Sequence, residues 1–155
     1  MASGTRARGG GGRLKGVLSS PVGRWLPVLL WMAGIFYFSS RPDPLGFVGA
    51  RPGDRDALGH AAHVLEYAGL AGWLYRALAP GEVGARPYLL AGLLAVAYAL
   101  SDELHQMGVP GREASLGDVA LDAFGATAVL GLLYLRRRRS GLSVPFVHDT
   151  QGPPC

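Results

Sequence analysis

Hydrophobic positions fall into four long blocks, separated by short polar stretches rich in glycine and proline. The first covers residues 25–38, with Arg24 placed to snorkel at its start, Pro27 in its first turn and Ser39-Ser40 extending its end. The second covers 59–79; it is studded with His60, His63, Glu66 and Tyr67 and ends at Pro80-Gly81. The third covers 86–106 and holds fifteen uncharged residues, 87–101, before the polar run Asp102, Glu103, Leu104, His105 and Gln106. The fourth covers 116–135, and from Val119 onward it carries a single charge, Asp122, before four arginines at 136–139 that are expected to stop it. These lengths suit helices of roughly 20 residues that cross a bilayer, and the fourth block lacks the polar face that a soluble bundle requires.

The expected fold is therefore all-α: a polytopic membrane protein built as a four-transmembrane-helix bundle, with helices at about 24–40, 59–79, 86–106 and 116–135. Residues 41–58 read as a loop. Residues 1–23 read as a disordered basic tail, and 136–155 as a basic stop followed by a disordered tail. No small-residue cleavage site follows the first block, so it reads as a span and not as a signal peptide.

Charge fixes the expected orientation. Eleven of the fifteen basic residues lie in the N-terminal tail, beside the connection between blocks two and three, or after block four. The positive-inside rule then puts both termini in the cytoplasm. Nine of the eleven acids lie toward the opposite end, leaving it at −5 against +9 inside. The overall charge of +4 would admit nucleic acid as a partner, but its division into membrane flanks excludes that; the expected partner is the lipid bilayer. Charged residues make up 17%, below the quarter usual for soluble domains. The one cysteine, Cys155, permits no internal disulfide, and no CxxC pair, P-loop or dinucleotide fingerprint occurs.

With the helices alternating in direction, the outer end gathers His63, Glu66, Tyr67, Asp102, Glu103, His105, Gln106, Arg112, Asp118 and Asp122 into a candidate polar pocket. Spacing supports this. His60, His63 and Tyr67 share one helical face, as do Tyr98, Asp102 and His105, and Asp118, Asp122 and Gly125. Polar faces turn toward the bundle because facing lipid costs several kcal/mol (about 2.5–3.5 for a central Asp, Lys or Arg). Glu66 lies ten residues from Arg76, roughly 15 Å along a helix, deep enough to need a proton or a partner. Arg112, in a Pro-Gly turn, is a natural clamp for carboxylate or phosphate. The pairs His63/Glu66 and Asp102/His105 have metal-like i, i+3 spacing, but such pairs arise readily by chance and no HExxH occurs, so neither a metal nor a cofactor is assigned.

The motifs His63-Val64-Leu65-Glu66-Tyr67, Tyr98-Ala99-Leu100-Ser101-Asp102-Glu103-Leu104-His105-Gln106, Pro110-Gly111-Arg112 and Asp118-Val119-Ala120-Leu121-Asp122 with Gly125 resemble, in order and spacing, the VanZ-like family over about residues 25–135. Ser39-Ser40 also fits the family pattern. His60 stands where a lysine is common, and Asp122 where an asparagine is common. The resemblance implies a small bacterial integral membrane protein of the cytoplasmic membrane and cell envelope, in a family named for a member linked to resistance to the glycopeptide teicoplanin. It implies no reaction. The pocket is therefore expected to bind a glycopeptide antibiotic, a lipid-linked precursor or a lipid headgroup. The alternative is an intramembrane hydrolase or transferase acting on an envelope lipid, with His105 or Glu66 as general base and Asp102 orienting the histidine or holding a metal.

Overall fold

The computed structural model describes residues 20–49, 51–81 and 84–140. Most of the two expected tails, 1–19 and 141–155, lies outside the described residues. Four long helices make up the fold, and no strand occurs among the described residues. α1 (Pro21–Ser39) starts ahead of the position the hydrophobic pattern gave. The cause is a cap: Ser20 Oγ accepts a hydrogen bond from the Gly23 N–H at 3.1 Å, and Pro21 occupies the first turn, where its missing N–H is no loss.

Two short 3-10 turns, Gly46–Val48 and Pro52–Asp54, lead into α2 (Arg55–Leu78), which takes up the end of the expected loop. α3 (Arg86–Gln106) matches its block, and α4 (Leu116–Arg139) runs past it. The four arginines expected to stop this last helix instead form its final turn. Arginine is a good helix former, and its charge is favourable beside the free carbonyls of a C-terminus.

The helices alternate in direction. Arg76, late in α2, donates to the Gly23 carbonyl at the start of α1, and Arg137 of α4 donates to Tyr75 of α2. At the other end His105 of α3 meets Ser40 after α1, and His63 of α2 meets Asp122 of α4. One end of the bundle is thus rich in arginine and the other rich in acids.

α2 is the central element, packed on α1, α3 and α4, whereas α1 does not touch α4 among the described residues. α1, α3 and α4 are long and apolar enough to cross a membrane. α2 is not, by composition, because it carries Arg55, Asp56, His60, His63, Glu66 and Arg76. Four apolar spans were expected, and three helices meet that description. The helix that falls short of that description is the one packed on all three others.

Many large side chains face outward, and alanines fill much of the interior beside Tyr67, Leu70 and Val28. Leu26, Leu29 and Leu30 of α1, Leu89 and Leu93 of α3, and Phe124 of α4 are exposed, while Ala91, Ala95 and Ala99 are fully buried. Lipid is as apolar as leucine, so membrane helices associate through small residues that let backbones approach. The closest approach is at Gly125, where a Cβ would overlap the Val64 carbonyl of α2. Gly69 likewise leaves room for the Trp31 ring, whose Nε1–H donates to the Glu66 carbonyl at 2.8 Å.

Candidate polar pocket at the acidic end

A cavity of about 620 Å³ opens at the acidic end, bounded by the end of α1, the start of α2, the end of α3 and the loop that follows it. His60, His63 and Glu66 line it from α2, Asp102 and Gln106 from α3, and Arg112 from the loop. Asp118, at the start of α4, completes the wall.

The loop is shaped by its sequence. Arg112 N donates to the Val109 carbonyl at 3.1 Å, closing a turn with Pro110 and then Gly111, whose φ is +80°. Proline followed by a left-handed glycine is the signature of a type II turn. The turn folds Arg112 back over the end of α3. Its Nε and Nη2 donate to Gln106 Oε1 at 3.2 and 2.6 Å, and Gln106 Nε2 donates to Asp102 Oδ2 at 3.0 Å. The guanidinium is therefore held by an amide oxygen, with an amide interposed between it and the nearest acid in the chain of bonds.

Below this relay lie three buried acids. Asp102 is 4% exposed, Glu103 5% and Asp122 1%. Glu103 Oε2 accepts from the Ser115 backbone N–H at 2.6 Å, and Ser115 Oγ caps α4 by accepting from Gly117 and Asp118. Asp122 Oδ1 stands 3.0 Å from His63 Nδ1, while His63 Nε2 stands 4.0 Å from Asp118 Oδ2. Gly125 is one turn below Asp122 on α4, so the close approach to Val64 brings His63 and Asp122 within reach. Asp102 Oδ1, Glu103 Oε1 and Asp122 Oδ2 are buried without any hydrogen-bond partner. Unpartnered buried carboxylate oxygens are costly and call for a ligand, a proton or an ion.

Of the ten expected site residues, His63, Glu66, Asp102, Gln106, Arg112 and Asp118 line the cavity. Glu103 and Asp122 sit behind it, in contact with the Ser115 backbone and His63. Tyr67 is fully buried in the core, with its ring centroid 6.3 Å from that of Tyr98. His105 turns toward α1: its ring lies 4.4 Å from that of Phe36, and Nε2 is 3.0 Å from Ser40 Oγ. Ser40 Oγ donates its proton to the Phe36 carbonyl at 2.7 Å, so the His105 Nε2–H is the donor of this pair. Tyr98, on the same face as His105, donates to the Met32 carbonyl of α1 at 2.8 Å.

Two features of this end are not evident from helical spacing alone. Ser115 ties Glu103 to the start of α4, and Ser115-Leu116-Gly117-Asp118 is a capping signature that could have revealed it. A second, mostly apolar cavity of about 470 Å³ lies between α1 and α2, lined by Trp31, Ile35 and Trp73, and Glu66 borders it as well as the polar one.

A family model described as VanZ/LLP1 matches residues 24–137. The chain belongs to the VanZ/LLP1 family. Every residue of the pocket falls within the match, and membership with three apolar helices makes this a VanZ-like membrane protein. No curated protein and no solved structure matches the chain.

Proposed function

We propose that this VanZ-like protein crosses the bacterial cytoplasmic membrane four times with both termini inside, and that its outward-facing pocket binds the anionic polar group of an envelope ligand. The lipid-linked precursor or lipid headgroup is favoured as that ligand. The observation that carries this reading is the placement of Arg112. Its guanidinium borders the cavity and is bonded to the Gln106 amide oxygen, so its charge is available to a phosphate or carboxylate. The cavity volume, about 620 Å³, falls in the usual range for small-ligand sites of about 300–1,000 Å³. A whole glycopeptide is too large to be enclosed, and would engage by one end.

The position of α2 supports four spans. At 24 residues it is about 36 Å long, enough for a hydrocarbon core of about 30 Å; its neighbours half-bury His63 and Glu66, while Arg55, Asp56 and His60 are exposed near its outer end. Cys155, the only cysteine, serves as a reporter of orientation. An impermeant maleimide is expected to label it only after the cells are opened. Labelling of intact spheroplasts would overturn the proposed topology.

The ligand reading is tested by native mass spectrometry of the protein extracted in mild detergent, with bound lipids identified in the same spectrum. Wild type is expected to retain an anionic lipid. Arg112→Ala should weaken retention by about 10–100-fold, since a charge-assisted hydrogen bond contributes about 1.5–3 kcal/mol. Equal retention by both proteins would refute the reading. The His63–Asp122 pair favours a second reading, a hydrolase or transferase in which the buried carboxylate orients an imidazole at the cavity wall. Turnover of a retained lipid that disappears in His63→Gln, with the lipid still bound, would establish it.

A further inference from the structure

We infer that His63, Glu103 and Asp122 form a binding site for one divalent transition-metal ion, at the junction of α2, α3 and α4 behind the cavity. Each offers one ligand atom, and the three atoms lie within 4.8 Å of one another. The residues come from three different helices, so no spacing within a single helix could have revealed the set. With metal–ligand bonds of about 2.0–2.2 Å, ligand atoms around one ion stand about 3.0–4.3 Å apart. The 3.0 Å hydrogen bond between His63 Nδ1 and Asp122 Oδ1 already holds that pair within this range, and the widest pair, at up to 4.8 Å, needs to close by about half an ångström.

Two further observations point to a cation. Glu103 Oε1 and Asp122 Oδ2 are buried oxygens that no hydrogen bond satisfies, in residues at least 95% shielded from solvent. The second nitrogen of His63 lies 4.0 Å from Asp118 Oδ2, longer than a hydrogen bond, and a closing of about 1 Å would make this the outer carboxylate that orients a metal-bound imidazole. Charge also balances, because two carboxylates neutralise a divalent ion and leave the imidazole neutral, which suits a low-dielectric site. One nitrogen with two carboxylate oxygens is a donor set for Zn²⁺ or Mn²⁺. Three protein ligands leave a position open to water or an anionic oxygen. This site does not depend on what the cavity holds.

The test uses the full chain purified in detergent, stripped with a chelator and titrated calorimetrically with Zn²⁺ alone or Mn²⁺ alone. Saturable uptake of one ion per chain is expected from at least one of them. Glu103→Gln and Asp122→Asn should each weaken binding more than tenfold, and Asp118→Asn about tenfold, as loss of an outer-shell partner does. Asp56→Asn, at the cavity rim, should leave affinity unchanged. In the Mn²⁺ arm, pulsed EPR should show nitrogen coupling that His63→Gln abolishes. If Asp122→Asn does not fold, Glu103→Gln decides. A folded wild type without saturable uptake of either ion, or undiminished affinity in the Glu103 variant, overturns the inference.

Discussion

The two ends of the bundle close the same four helices with opposite chemistry. At the arginine end, Tyr75 donates to the Tyr88 hydroxyl at 2.9 Å and accepts from Arg137 Nη1 at 3.1 Å, with the two tyrosine rings 4.4 Å apart. Arg138 lies over Tyr134 and Arg76 over Trp73, each 5.6 Å from the ring centroid. At the acidic end, three buried carboxyl groups each keep an oxygen with no partner. Tyrosine and arginine bury apolar bodies while their polar tips reach partners or water. Short acids cannot do this, so whatever buries them also removes their hydration. The arginine end is built as a fastening. The acidic end carries interactions that the fold alone does not complete, the usual mark of a working site.

The largest effect is expected where the acidic end depends on backbone proximity. Gly125→Leu inserts a side chain against the Val64 carbonyl, which cannot yield as a flexible side chain would. α2 and α4 must separate, at a cost of about 3 kcal/mol or more, the upper range for overpacking. Thermal unfolding in detergent should show this as a large loss of stability. A variant as stable as wild type would mean that the close approach is not needed.

The next pair should move stability in opposite directions. Asp102→Asn keeps an acceptor for Gln106 Nε2 and removes a buried carboxyl oxygen that has no partner, and should stabilise the protein by about 1 kcal/mol, the low end of the cost of an unsatisfied buried polar atom. Tyr75→Phe removes the donor to Tyr88 and the acceptor for Arg137, and should destabilise by about 1–2 kcal/mol. Chemical unfolding of the two variants side by side checks the contrast. If both destabilise equally, the two ends do not differ as described.

A smaller effect belongs to His105, the residue whose direction was hardest to read in advance. His105→Leu loses one hydrogen bond to Ser40 and keeps an apolar body beside Phe36, so a loss of about 0.5–1.5 kcal/mol is expected, with lipid retention unchanged. A drop in retention without a drop in stability would return His105 to the pocket.

The contrast between the ends was partly legible in the sequence. Helix number and approximate limits followed from hydrophobic blocks, and the gathering of His63, Asp102, Arg112 and Asp118 followed from alternating helix directions. What the sequence could not convey was rotation. Asp102 and His105 share a face at three-residue spacing, yet the ring of Phe36 and the hydroxyl of Ser40 draw His105 toward α1 while Asp102 bonds Gln106. Glu103, one position from Asp102, was no clearer a candidate than its neighbours until Ser115 fixed it. Gly125 was recognisable as a face-mate of Asp122, but its contact with a backbone carbonyl on another helix depends on packing that no local pattern encodes.

The smallest effect should come from the rim of the acidic end. Arg55 Nη1 donates to Asp43 Oδ2 at 3.1 Å, clipping the loop after α1 to the start of α2, and both side chains are about half exposed. Exposed ion pairs contribute roughly 0–1 kcal/mol and are screened by salt, so Arg55→Gln should change stability by less than about 0.5 kcal/mol at 0.15 M salt. Both residues border the cavity, as Asp102 does, and Asp43 carries the same carboxylate. They differ in access to water. If Arg55→Gln shifted unfolding as far as Asp102→Asn, acidity itself would set the energetics of this end. A negligible shift, unaltered in high salt, assigns the cost to burial and confines it to the buried acids Asp102, Glu103 and Asp122.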